Sequence, residues 1–298
     1  MRDRLLLRNY MLLVLLALLW GGSYPLIKVA LETFPPVTLM AYRVTVAAGL
    51  LSVAVSLRGH SFPYERTTIA ALLVQSFFNS IGAWTLLAWG QQYVDSGLAG
   101  VLNSTSPIFV FFLALALRLS PHIEWLKLAG ALIGLAGVVV LLDVEGLGRE
   151  LLPQLAILGG ALLYGCAAVY GRRFRDQPAM VTAAGTMIWA ALVLTPAAFM
   201  LETPLAAEIS ARSLVAATTL AIGSTALAML IYFHLIGAIG SLAVASQAYL
   251  RSAVAVLLGV GLLGEPMSLS LAAGVGLVLI GMILLNRSGS QRSPKETR

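Results

Sequence analysis

The chain has 298 residues, of which 59% are apolar and only 11% charged, with a net charge of +6 and a single cysteine; its mean hydropathy is +0.91. A soluble domain carries roughly 25% charged residues, so this composition excludes a soluble globular enzyme or a nucleic-acid-binding domain and describes an integral membrane protein. The lone cysteine, Cys166, excludes an internal disulfide and a metal–thiolate cluster, and its place inside an apolar run predicts a buried structural side chain.

Ten apolar segments follow one another, at 9–31, 37–57, 67–89, 97–117, 125–142, 155–171, 181–201, 214–236, 241–263 and 269–285. Each approaches the roughly 20 residues that cross a hydrocarbon core of about 30 Å. Runs of this length satisfy their backbone hydrogen bonds internally as helices, whereas barrel strands alternate over about ten residues. The expected fold class is an all-α integral membrane bundle of ten transmembrane helices. The first segment carries Trp20 and Tyr24 on one face and is interrupted by Gly21, Gly22 and Pro25; it is too long for a signal peptide and lacks a small-residue cleavage site before the next span. In the second, Arg43 lies about two turns from one end, within snorkelling reach of the interface, which favours an interfacial or packing arginine.

The third segment contributes Asn79 and Trp84, and the fourth Asn103 and Pro107. Gly130, Gly134 and Gly137 form a small-residue stripe on the fifth that permits close backbone approach, within one chain or between chains. Tyr164 lies inside the sixth, and Pro196 in the seventh is expected, with Pro107, to interrupt its helix. The eighth holds Tyr232 and His234, the ninth Gln247, Tyr249 and Arg251, and the tenth Gly274 and Gly281. Trp125 and Tyr93 fall near span ends, where an interfacial belt accounts for them. Residues 287–298 read as a short basic cytoplasmic tail.

The second half repeats the first at a gap-free offset of 144 residues: Ala17-Leu18-Leu19-Trp20-Gly21 answers to Ala161-Leu162-Leu163-Tyr164-Gly165, Val37-Thr38 to Val181-Thr182, and Leu98-Ala99 to Leu242-Ala243. Residues 1–144 and 145–286 are therefore expected to be two five-helix repeats. Because five is odd, the second copy enters the bilayer upside down, giving the inverted repeat characteristic of membrane transporters. Orientation follows from the loops. Sorted by the side of the bilayer nearer to them, 14 of the cations fall on the side of the termini and three, Lys28, Arg149 and Arg212, on the other, which places both termini in the cytoplasm.

Polar residues inside spans face a cavity or another helix. Arg251 is near the middle of its span and shares a face with Gln247 at i, i+4. The offset puts Asn103 and Pro107 on the matching face of the fourth span, so two pseudo-symmetric helices direct amides inward. Asn79, Trp20, Tyr24, Trp84, Tyr164 and Tyr249 complete the candidate substrate-binding set. All 13 acidic residues lie in loops, tails or span ends, and an exporter of lipophilic cations would need an intramembrane carboxylate. One buried arginine with amides and rings instead suits a substrate carboxylate or a zwitterion. His234, the only histidine in a span, is the candidate for proton coupling, though a neutral packed histidine is the commoner use of such a residue. No lysine follows a glycine, so no P-loop is present, and no catalytic motif or metal-ligand set appears. Neither enzymatic activity nor a cofactor is expected; the implied partners are the lipid bilayer and a small-molecule substrate, with no nucleic acid.

Trp20-Gly21-Gly22-Ser23-Tyr24, Arg43, Pro107 and Leu262-Leu263-Gly264-Glu265, followed by a glycine-spaced last span, resemble the EamA type of the drug/metabolite transporter superfamily over essentially the whole chain. The resemblance implies a ten-helix inner-membrane carrier with a central cavity, related in function to amino acid exporters such as the YddG-like exporters of aromatic amino acids. Two departures stand out: Arg251 replaces the family's proline in the ninth span, and Pro121 replaces the acidic residue after the fourth. The expected function is export of amino acids or related metabolites. A multidrug or cation exporter of the same superfamily and a non-transporting membrane scaffold are the alternatives.

Overall fold

The structure, a computed structural model, describes residues 2–63, 65–119, 125–142, 151–206, 208–239 and 247–287; Tyr249 is described in its backbone alone, and Pro121 and residues 288–298 of the expected tail lie outside the described residues. Among the described residues every regular element is helical. In chain order they are α1 (Arg2–Gly21), α2 (Ser23–Ala30), α3 (Pro36–Leu57), α4 (Arg66–Ser76), α5 (Gly82–Gln91), α6 (Ser96–Asn103), α7 (Ser106–Ala116), α8 (Trp125–Leu141), α9 (Leu151–Tyr170), α10 (Ala179–Leu201), α11 (Ala211–Ala221), α12 (Ala228–Ile239), α13 (Gln247–Leu263) and α14 (Leu269–Arg287). Seven helical stretches are long and apolar enough to cross a membrane, and three shorter apolar helices occupy the fifth, ninth and tenth places.

The interruptions differ from those expected. At the first span the helix barely breaks: Gly22 keeps right-handed dihedrals and its N–H still reaches Leu18 O at 2.8 Å. The glycines serve close approach instead, since a Cβ on Gly21 would lie 2.6 Å from Val254 Cγ1 and 2.8 Å from Arg251 O. Pro107 sits in the first turn of α7, where its missing N–H costs nothing, and the break falls just before it at Ser104–Thr105. Pro196 lies inside α10, which runs on to Leu201; its ring points outward at an exposed position, and packing on α3 holds the last turns. Cys166 is half-buried rather than buried, because it shares a face of α9 with Leu162, which is 40% exposed.

Two irregularities coincide under the repeat. A π-helical turn at Phe77–Ile81 joins α4 to α5, and another at Ile222–Leu227 joins α11 to α12. Each widens the helix at the same depth of its repeat, and such bulges are frequent where a helix serves a site.

Packing follows the repeat as well. α3 lies along α10 and α8 along α14, each helix against its own repeat mate, while α5 packs on α9 as α12 packs on α1. The α8–α14 seam is made by the glycine stripes within one chain: a Cβ on Gly130 would sit 2.7 Å from Gly281 O, and one on Gly137 2.9 Å from Gly274 O. The backbones therefore touch, and no side chain fits between them.

Candidate functional site

A central cavity of about 1020 Å³ runs from Trp20, Tyr24, Asn103 and Arg251 at its base to Lys127, Arg172 and Arg175 at its mouth. Arg172 and Arg175 are exposed, so the cavity opens at that end.

Two residues 144 positions apart in sequence meet at the base. Asn103 and Gln247 are repeat mates on α6 and α13, and both are buried and line the cavity. Asn103 Nδ2 donates to Tyr24 Oη at 2.8 Å. Its Oδ1, and Oε1 of Gln247, have no hydrogen-bond partner among the described residues. Arg251 follows Gln247 by one helical turn; its Nη2 reaches Ser104 Oγ at only 3.5 Å, and its Nε is unpartnered. A buried donor or acceptor left unpaired costs about 1–3 kcal/mol, so the base of the cavity presents one cationic donor and two amide acceptors that a polar solute would satisfy.

A second part of the lining is built around Arg43, which is buried and lines the cavity instead of reaching an interface. Its Nε donates to Thr225 Oγ1 at 2.8 Å, and that hydroxyl in turn donates to Leu220 O at 3.0 Å. The second π turn supplies Thr225, so the bulge places the arginine. The guanidinium carbon stands 3.8 Å from the centroid of Trp84, and Trp84 Nε1 donates to Tyr164 Oη. Trp20 lines the cavity against Tyr232, centroids 5.4 Å apart. Asn79 lines it from the first π turn, with Nδ2 3.1 Å from Ser80 Oγ. Six of the expected binding residues thus converge with Gln247 and Arg251 on one cavity, while the Tyr249 side chain lies outside the described residues. His234 occupies an exposed position on α12 and does not line the cavity. Trp125 and Tyr93 are exposed, as their span-end positions predict.

Sequence reasoning missed the device that closes the other end. Glu202, just after α10, accepts from Val37 N at 3.0 Å and from Thr38 N and Oγ1 at 2.7 Å, capping the first turn of α3 in the other half. Glu265 likewise caps α6, accepting from Ser96 N at 2.7 Å and Gly97 N at 3.0 Å. Gly264, with φ +69°, turns the chain back so that Glu265 can reach, and Gly259 leaves room for it, since a Cβ there would stand 2.1 Å from its Oε2. Carboxylates at helix N-termini satisfy orphan N–H groups and oppose the positive dipole end. Lys28 Nζ binds Gln91 O and Val94 O at 3.1 and 2.8 Å, and Ser213 Oγ donates to Val29 O at 2.9 Å where α11 packs on α2.

Among the described residues the Glu202 latch has no counterpart at the mouth. Arg58 stands at the repeat position of Glu202, and Thr182, mate of Thr38, lines the cavity with an unpartnered Oγ1. At the mouth, the mates of α11 and α2 meet through long side chains, with Gln75 Nε2 3.2 Å from Ala167 O and Leu72 against Phe174. One end is sealed and the other open.

Comparison with known proteins agrees with this architecture. The pattern of the EamA-like transporter family matches twice, over residues 7–143 and 151–287. The inner membrane transporter YedA of Escherichia coli is 30% identical over 286 residues, covering 96% of this chain and 92% of that protein. A protein of Streptantibioticus cattleyicolor named "Probable terminal-alkyne amino-acid exporter" is 29% identical over 282 residues, 92% of each chain. A solved crystal structure with 21% sequence identity superposes with a TM-score of 0.69 over 95% of this chain and 99% of its own. With both halves of an all-helical bundle matched by one family pattern, the chain belongs to the EamA-like transporter family and is a multi-pass membrane transporter rather than an enzyme.

Proposed function

We propose that the protein exports amino acids or related carboxylated metabolites by alternating access. Its ten helices form two inverted repeats, 1–144 and 145–286, with both termini and the basic tail in the cytoplasm. The 144-residue offset, the distribution of loop cations and the packing of α3 on α10 and α8 on α14 support that arrangement. In this orientation the open mouth faces the cytoplasm and the latched end faces outward, so the substrate enters from inside. Rocking of one repeat against the other closes the mouth and releases the Glu202 and Glu265 caps.

The observation that carries the reading is the base of the cavity. Arg251, with an unpartnered Nε, sits beside the free amide oxygens of Asn103 and Gln247. A carboxylate takes the guanidinium, and an ammonium group donates to the amides. Trp20, Tyr24, Asn79, Trp84 and Tyr164 form the walls, and Tyr249, the residue two before Arg251, belongs to the same proposed set. A cation exporter would present a carboxylate to its cargo; among the described residues no acidic side chain lines the cavity. The relative with an amino-acid exporter's name adds to the case.

The test is counterflow in proteoliposomes with labelled amino acids against a labelled quaternary ammonium ion, with and without ionophores. Exchange of amino acids alone supports the reading. Exchange of the cation alone makes the protein a cation exporter, and exchange of neither overturns the amino-acid reading.

A further inference from the structure

Arg251 answers to the carboxylate that every amino acid carries, but it is one of two guanidinium groups in the cavity. Arg43 is buried in the same lining, its Nε engaged by a neutral hydroxyl and its face by an indole. Among the described residues neither arginine makes an ion pair, and no acidic side chain lines the cavity with them. A buried charge without a counter-charge is costly. A zwitterion of net charge zero leaves that cost in place, since its ammonium cancels its carboxylate and the cavity stays two charges positive. Two acidic groups on one solute compensate both.

The rings bear on the same choice. Trp84 is covered on one face by Arg43 and is bonded through its N–H to Tyr164, Trp20 leans on Tyr232, and Tyr24 is held by Asn103. Aromatic walls already engaged by protein partners offer less stacking surface to an aromatic side chain than their number suggests. At the mouth, Arg172 and Arg175 line the approach with the same sign of charge, although Arg175 also stands 3.6 Å from Asp176. A lining of one sign draws solutes of the opposite sign inward.

We propose that the preferred substrate carries two acidic groups, one for Arg251 and one for Arg43, together with an amino group that donates to the oxygens of Asn103 and Gln247. This rests on the carrier reading above and narrows its substrate to amino acids with an acidic side chain, whether that acid is a carboxylate, a sulfonate or a phosphonate. Arg43 is then a specificity-determining residue.

The probes are labelled L-glutamate, L-glutamine and succinate, measured by counterflow with the full chain in liposomes. Glutamate and glutamine match in size and differ by one charge, and succinate keeps both acids but lacks the ammonium. Glutamate is expected to show a half-saturation concentration about ten- to hundred-fold below that of glutamine, the span of one charge-assisted hydrogen bond. In Arg43→Met the ratio is expected to fall to near one, and in Arg43→Lys, which keeps the charge, to be partly restored. Equal or better transport of glutamine by the wild-type protein overturns the two-acid site while leaving the amino-acid carrier intact. Transport of succinate with neither amino acid overturns the amino-acid reading while upholding the two-acid site. Failure to carry any of the three overturns both, and the wild-type ratio decides the matter even where Arg43 variants fail to fold.

Discussion

The latch at Glu202 lends itself to a quantitative test by Glu202→Gln. The carboxylate accepts three hydrogen bonds at 2.7–3.0 Å from the first turn of α3, reaching from the second half of the chain to the first. Bonds to a charged acceptor contribute about 1.5–3 kcal/mol and neutral ones about 0.5–1.5, and an anion at a helix N-terminus adds about 0.3–1 kcal/mol. Glutamine keeps one acceptor oxygen but turns an NH2 toward a backbone N–H, so one bond is lost and the others weaken. Glu202 is half-exposed, and solvent screening reduces the sum to about 2 kcal/mol, or about 30-fold in the ratio of outward-closed to outward-open molecules. With Cys166 replaced by Ser and a single cysteine introduced at Leu87, a buried cavity position, labelling by an impermeant maleimide from the outside reports that ratio. The expected result is a roughly 30-fold faster reaction in Glu202→Gln. An unchanged rate in folded protein would refute the idea that this carboxylate holds the outer end shut.

Three further expectations follow from particular residues. Asp95, at the start of α6, has its pKa raised above the ordinary 3.8, first by desolvation of its inner side and then by Glu265, with Lys28 pulling the other way. A raised carboxyl binds more protons in the folded than in the unfolded chain, so its stabilising contribution is present at low pH and lost as pH rises from the ordinary value through the raised one. Asp95→Asn should therefore melt higher than wild type at neutral pH, with the gain fading by about pH 4; a constant difference would contradict the assignment. Gly281→Ala brings a Cβ within 2.5 Å of Gly130 O and should cost about 1–3 kcal/mol, seen as a lower melting temperature in detergent, whereas Gly276→Ala, which meets nothing within 4 Å, should be neutral. His234, exposed and outside the cavity lining, should tolerate alanine with no change in the pH dependence of transport; loss of that dependence would restore it as a proton carrier.

Much of the site was legible because the repeat supplied a second reading of each position. Asn103 and Gln247 are modest polar residues individually, but their shared offset marked one face on two helices, and Arg251 on that face completed the group. Trp20 and Tyr164 were found in the same way. Arg43 packs, as one of its two expected roles allowed, but it does not snorkel, because distance from a span end measures depth but not direction. Its mate Met187 is fully buried, so both positions of the pair face inward, which only the structure shows. The latches were invisible for a different reason. Glu202 is an ordinary loop acid in sequence and Glu265 only part of a recognisable motif, and tertiary structure alone brings them to helix N-termini in the other half. The π turns also escaped notice, since an extra residue in a helical turn leaves no mark in an unbroken apolar run. Pro196 misled because a proline that faces outward from a well-packed helix removes one hydrogen bond without ending it.

The central claim is that Arg251 reads the carboxylate of a transported amino acid at the base of the cavity. Its most direct test is the half-saturation concentration for counterflow of the amino acid that the wild-type protein carries best, compared among wild type, Arg251→Lys and Arg251→Met. Lysine retains the charge without the bidentate fork and should weaken binding modestly; methionine should weaken it by about ten- to hundred-fold, the equivalent of roughly 1.5–3 kcal/mol. Well-folded Arg251→Met protein that carries the same amino acid with wild-type affinity would contradict the account and reduce Arg251 to a packing residue.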